Sequence, residues 1–185
     1  GLLGEADAEN RAGHVHFAMI SGPLERSDRA RDRVDGVREA LSTRGLALRP
    51  THLLEAAYTL PAGSDAMRRL LAVRPRPTAV ICGNDLVAVA AIAACREQGL
   101  DVPRDVSIAG FGNMEIAALQ SPALTTIRSP IAAIGAAAGK QILARIAGED
   151  APPKVEFEAE LVVRASTASA PRHPRSAKGR RTGTG

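Results

Sequence analysis

An α/β fold, a parallel sheet with helices on both faces, is predicted by two patterns in this chain. Short apolar runs rich in β-branched residues alternate with longer stretches whose apolar residues recur at helical spacing. Each early run also ends in a turn signal, Ser21-Gly22-Pro23 or Gly83-Asn84-Asp85, that leads into a helical stretch. Strand, helix and strand in that order require right-handed crossovers between parallel strands.

The elements follow in order. Residues 14–20, His-Val-His-Phe-Ala-Met-Ile, form the first strand. From Ser27, Ala30, Val34, Val37 and Leu41 mark a helix; Ser27 or Asp28 can cap it, and Gly45 stands where a C′ glycine belongs. A short strand is expected within 48–54 and a helix over 64–73, with Met67, Leu70 and Leu71 inward. Residues 78–82, bounded by prolines upstream, read as a buried parallel strand. A strongly apolar helix over 86–98 closes at Gly99, and 106–111 is the next strand. Residues 124–127 are short and β-prone. Ile131, Ile134, Ala138, Ile142 and Ile146 give a further helix ending at Gly148, and 156–164 returns as a strand. Ligands of such sheets bind beyond the carboxyl ends of the strands, here 21–29, 55–60, 83–85 and 112–115.

Composition removes several classes of function. The chain of 185 residues carries +4 overall, but residues 171–185 hold five basic and no acidic side chains, so the body is near −1. A basic groove for nucleic acid is therefore unsupported. Aromatics are 2% with no Trp, which leaves little for base stacking and requires an aliphatic core. No apolar run reaches the ~18 residues of a membrane span, and residues 1–10 lack the pattern of a signal peptide. A membrane partner is not expected, and the cytoplasm is the expected compartment. Cys82 and Cys95 lack metal or redox spacing and read as buried, reduced thiols. His14 and His16 have no third ligand nearby, so no metal is expected. Neither G-x-S-x-G, a Walker loop nor G-x-G-x-x-G is present; no cofactor and no catalysis are expected.

The ordered set of motifs resembles the effector domain of the lactose repressor/galactose repressor family. It comprises Gly13-His14-x-x-Phe17-Ala18-x-Ile20-x-Gly22-Pro23, then Arg33-x-x-Gly36, then Pro77-Thr78-Ala79-Val80-x-Cys82-x-Asn84-Asp85. Gly99-Leu100-x-Val102-Pro103-x-Asp105-Val106-Ser107-Ile108-x-Gly110-Phe111 follows, then Ser121-Pro122-x-Leu124-Thr125-Thr126-Ile127, and Glu160-Leu161-Val162-Val163-Arg164-x-Ser166-Thr167. The resemblance covers roughly 13–168. It implies a periplasmic-binding-protein-like fold of type I, with the second lobe largely complete and the first mostly missing. Residues 1–12 are then an unmatched segment and 13–118 the effector-binding lobe. Residues 119–153 become a crossover and a helix of the incomplete first lobe, 154–168 a strand returning to the second lobe, and 169–185 a disordered basic tail. The helix near 131–146 is expected to have lost its packing surface.

Six residues are candidate ligand contacts. From the residues alone, Arg33 is either a surface arginine paired with Asp28 or Asp32, or a planar fork for polar ligand atoms; the resemblance favours the second. Asp85 opens a helix, where an acid serves as cap or first-turn charge; the resemblance adds a carboxylate accepting ligand hydroxyls, with Asn84 beside it either as a further contact or only shaping the turn. Tyr58, in Glu55-Ala56-Ala57-Tyr58-Thr59, resembles the family's aromatic at this motif, although Ala56-Ala57 replaces its Gly-Asp; it either stacks on a ring ligand or packs half-buried in its loop. Arg26 resembles a contact of purine-type members, and a solvated arginine is the alternative. Asn113 occupies the second position of the family's acidic pair after G-[FY]; Gly112 replaces the first, which bears on effector choice. The resemblance implies an effector-sensing, dimerising portion of a DNA-binding regulator, its effector sugar-like or nucleobase-like. DNA is then reached only through a helix-turn-helix module that this chain lacks. The alternatives are a transporter's sugar-binding protein, an enzyme on an α/β sheet, or a truncated remnant that binds nothing.

Overall fold

The computed structural model describes residues 13–149 and 155–171. The expected unmatched segment 1–12 and most of the expected basic tail lie outside the described residues. Among the described residues, six strands form one sheet: β1 (Phe17–Ser21), β2 (Leu53–Glu55), β3 (Ala79–Cys82), β4 (Ser107–Phe111), β5 (Thr125–Arg128) and β6 (Glu160–Val162). Their order is β2-β1-β3-β4-β5-β6. The first five are mutually parallel, and only β6 runs antiparallel, beside β5. The helices are α1 (Asp28–Ser42), α2 (Leu60–Ala72), α3 (Asp85–Glu97), α4 (Glu115–Leu119) and α5 (Ile131–Ile146).

Helices cover both sheet faces, each through its own apolar cluster. Phe17, Met19, Ala79 and Ile81 meet Val34, Val37 and Leu41 of α1. On the other face Ala18, Ile20, Val80 and Ile108 meet Met67 and Leu70 of α2 and Val87, Ala91 and Ile92 of α3. Strand alternation sorts these residues to the two faces. Each fully buried Ile or Leu side chain stabilises the fold by roughly 1.5–3 kcal/mol. α3 buries Ala and Val on several sides, as its unbroken apolar sequence requires.

Local chemistry sets the helix starts. Ser27 caps α1 through Oγ, which accepts from Ala30 N at 3.2 Å. Thr59 caps α2 in the same way, from Ala62 N at 3.4 Å. α2 thus begins at residue 60, earlier than the expected 64, because Pro61 falls in the first turn, where its missing N–H costs nothing. Residues 50–52 form a 3-10 turn led by Pro50, which confines the second strand to three residues instead of 48–54. Gly45 does turn left-handed (φ 68°), but two residues past the cap Thr43. The short α4 had no clear sequence signal. The expected strand 156–164 pairs only over β6, and residues 125–128, expected in the crossover, form β5 of this sheet.

The chain after β6 is anchored at the amino end of the sheet. Ser166 Oγ donates to Ile108 O at 2.6 Å and accepts from Thr125 N at 2.8 Å. His14 is fully buried there. Its Nε2 lies 2.9 Å from Ala168 O, which can only accept, so Nε2 carries the proton; Nδ1 then accepts from the Thr78 hydroxyl at 3.0 Å. Burial holds the His14 pKa below the usual histidine range. Both cysteines are buried and neither is in a disulfide, and burial pushes the Cys95 thiol up to about 12.

α5 differs from the other helices. None of its residues is buried, and Ile131, Ile142, Leu143 and Ile146 are at least 59% exposed. Among the described residues, no helix is long and apolar enough to cross a membrane.

Candidate ligand-binding site

The strand order reverses between β1 and β3: the chain leaves β1 toward β2 on one side and returns to β3 on the other. Crevices at such switch points, outside the carboxyl ends of the strands, are where doubly wound sheets bind ligands. Here that edge is Ser21-Gly22 after β1, Gly83-Asn84 after β3 and Phe111-Gly112 after β4.

Arg33 and Tyr58 meet at this edge. α1 runs back from the carboxyl edge, so its first turns stand above it, and Arg33 adjoins the buried Val34. The Arg33 guanidinium lies over the Phe111 ring, 4.1 Å from its centre. Its Nη1 donates to Tyr58 Oη at 3.3 Å and to Gly83 O at 3.4 Å. Asp28 pairs with Arg31, while the hydrogen bonds of Arg33 go to Tyr58 and Gly83. Tyr58 follows β2 and lies against two glycines. A Cβ on Gly22 would stand 2.8 Å from the Tyr58 ring, and one on Gly83 2.7 Å from its hydroxyl. Both positions need glycine for this approach.

Asn84 and Asp85 divide two tasks. Asn84 caps α3, its Oδ1 accepting from Val87 N at 2.9 Å, so the cap at this helix is Asn84 and not Asp85. Asp85 is fully buried: Oδ1 accepts from Thr126 Oγ1 and Oδ2 from Met114 N, each at 2.6 Å. Both carboxylate oxygens are thereby engaged within the chain. The carboxylate fits because Gly110 has no side chain to collide with Oδ1. Asn113 takes a left-handed backbone (φ 52°), and its Oδ1 accepts from Arg164 Nη2 at 2.7 Å. Arg26 is exposed in the loop between β1 and α1.

A cleft of about 540 Å³ opens above Phe111, between the first turns of α1 and α5. Its walls include Arg29, Asp32, Arg33, Gly112, Ser129 and Ile134. Of the six expected residues, only Arg33 lines it. Tyr58 touches Arg33 from behind, and Asn84, Asp85 and Asn113 shape the adjoining turns. Sequence reasoning passed over Phe111, which read as the last residue of a strand, Ile134, which read as helix, and Ser129. Position at a strand's carboxyl end was the available signal for Phe111. Among the described residues, no group of three His, Cys, Asp or Glu side chains could hold a metal ion.

Fold and edge together define an α/β domain of the periplasmic-binding-protein class. Residues 7–167 match the family described as periplasmic binding protein-like domain. The HTH-type transcriptional repressor PurR of Aliivibrio fischeri (strain MJ11) is 36% identical over 157 residues, which is 83% of this chain and 46% of that protein. Among solved structures, a LacI family transcriptional regulator from Mycobacterium smegmatis superposes with a TM-score of 0.82 at 30% identity, covering 91% of this chain and 63% of that one. The transcriptional regulator CelR–cellobiose complex gives 0.83 at 29% identity, covering 89% and 52%. The chain therefore belongs to the periplasmic binding protein-like domain family, and within it to the effector domains of the lactose repressor/galactose repressor (LacI/GalR) regulators. It spans about half the length of the curated relatives it matches.

Proposed function

We propose that this chain is the effector-sensing portion of a cytoplasmic, homodimeric transcriptional regulator. A small polar molecule, sugar-like or nucleobase-like, binds at the carboxyl edge of the sheet, with Arg33 as its principal contact. Tyr58 and Asn113 support that edge, Asn84 and Asp85 hold the turns beneath it, and Arg26 stands at its solvent margin. Residues 13–118 and 154–168, with β5, form the ligand-binding lobe, and α5 belongs to a companion lobe. DNA is contacted by a module outside these 185 residues. The observation carrying this reading is the Arg33 guanidinium, stacked on Phe111 in an open cleft at the carboxyl edge of the sheet. That the CelR relative was solved with cellobiose supports a sugar-sized ligand.

Ligand binding only to the favoured arrangement would shift the lobes and, in the whole regulator, the DNA affinity. Thermal shift and calorimetry against a panel of sugars, phosphosugars, sugar acids and purines test this reading. A saturable rise in Tm that Arg33→Ala abolishes is expected. The absence of any ligand-dependent rise, or a rise unchanged in Arg33→Ala, overturns it.

A further inference from the structure

The geometry points to an anionic ligand: a small molecule whose phosphate or carboxylate is gripped by Arg33 in the cleft above Phe111. This inference rests on the effector-sensing reading and narrows its ligand class. The charged groups lining the cleft are Arg29, Asp32 and Arg33. Arg29 and Asp32 are exposed, stand one turn apart on α1 and offset each other. Arg33 is the excess charge. It is half-buried, and its contacts are all neutral: a phenol, a carbonyl and an aromatic ring. At 3.3 and 3.4 Å its two hydrogen bonds are longer than the ~2.7–2.9 Å of charge-assisted pairs.

The other side of the Phe111–Asn113 turn repeats the pattern. Arg164 is half-buried and donates to Leu124 O and to the Asn113 amide oxygen, each at 2.7 Å, again without a carboxylate. The turn itself excludes one at its centre, because Gly112 has φ 126°, a backbone that strains any side chain. The nearby Asp85 carboxylate is enclosed with both oxygens engaged. Two guanidiniums thus flank one turn, and no carboxylate among the described residues pairs with either. Such half-desolvated charges are stabilised by a counter-ion.

Ser21 adds a hydroxyl on the same sheet face. Register aligns Glu55, Ser21, Gly83 and Phe111 in one row beneath α1. Ser21 Oγ is buried and has no hydrogen-bond partner among the described residues, so this row holds one uncommitted hydroxyl donor. Glu55, at the far end of the row, has its carboxylate on Leu24 N at 2.9 Å.

The test uses this chain with matched probes at constant ionic strength: glucose, glucose 6-phosphate, gluconate and inorganic phosphate. Binding is read by Tm and by the fluorescence of Tyr58, the only tyrosine in a chain without Trp. Glucose 6-phosphate or gluconate is expected to bind at least about tenfold more tightly than glucose, and Arg33→Met to remove the difference. The two arms separate phosphate from carboxylate. Ser129→Asp, which puts a negative charge in the cleft without touching Arg33, should weaken anion binding about tenfold; it decides the matter if Arg33→Met fails to fold. Glucose binding as tightly as the anions overturns the inference and leaves the sensing reading intact. A response to inorganic phosphate that persists in Arg33→Met marks an adventitious ion only and overturns it. Silence of every probe here counts against the inference, whereas silence across the wider panel also ends the sensing reading.

Discussion

Tyr58 reaches Arg33 only because Gly22 and Gly83 present no side chains to it. Gly83→Ala would place a methyl 2.7 Å from the phenol oxygen, so the ring must move. Acrylamide quenching of the single tyrosine should rise in that variant while the far-ultraviolet circular dichroism stays unchanged. The neighbouring pair behaves differently. Asn84→Ala removes the cap of α3 and should lower stability by about 1 kcal/mol in urea unfolding. Asp85→Ala leaves the Thr126 hydroxyl and the Met114 N–H without their acceptor, at roughly 1–3 kcal/mol for each group. It should therefore destabilise the chain more than Asn84→Ala, with no ligand present. The sequence showed that Asn84-Asp85 opens a helix. It could not show Thr126 and Met114 closing on Asp85, because those partners lie 41 and 29 residues downstream.

Whole elements were legible where a pattern repeated over a dozen residues, as in α1, α3 and α5. Boundaries were lost where a proline could act either as a stop or as a first-turn residue, which is why α2 begins before its expected start. The return strand was overestimated because apolar alternation over 156–164 does not reveal that only 160–162 have a pairing partner. Its continuation is held by His14, and this gives a pH dependence. The folded-state pKa of His14 is depressed, so the unfolded chain binds more protons in acid. The stability it contributes is complete above the unfolded value of about 6.5 and is lost as pH falls through the folded one. Tm should decline below about pH 6.5, and His14→Gln should flatten part of that decline. His16, lowered by burial and by the nearby Arg49 and His52, titrates in the same sense. α5 gives the opposite expectation. Ile142→Lys with Leu143→Lys should leave the urea midpoint of the separated chain nearly unchanged, since both side chains already face solvent.

At the scale of the molecule, the positive charge of the chain and its relationship to DNA regulators are unrelated. The excess lies in residues 171–185, while residues 1–170 together sum to about −1. This chain by itself should show no sequence-specific, salt-tolerant operator binding in a gel shift. Sedimentation should show self-association that weakens when α5 is made polar; a monomer at high concentration would contradict the dimer. The excursion through α5 also has a mechanical meaning. It leaves the sheet along β5 and returns along β6, its hydrogen-bonded neighbour, and Arg128 and Glu160 join the two strands at 2.9 Å. Because both ends of the excursion lead back to one paired ribbon, a push on α5 is passed to β5 and β6 together.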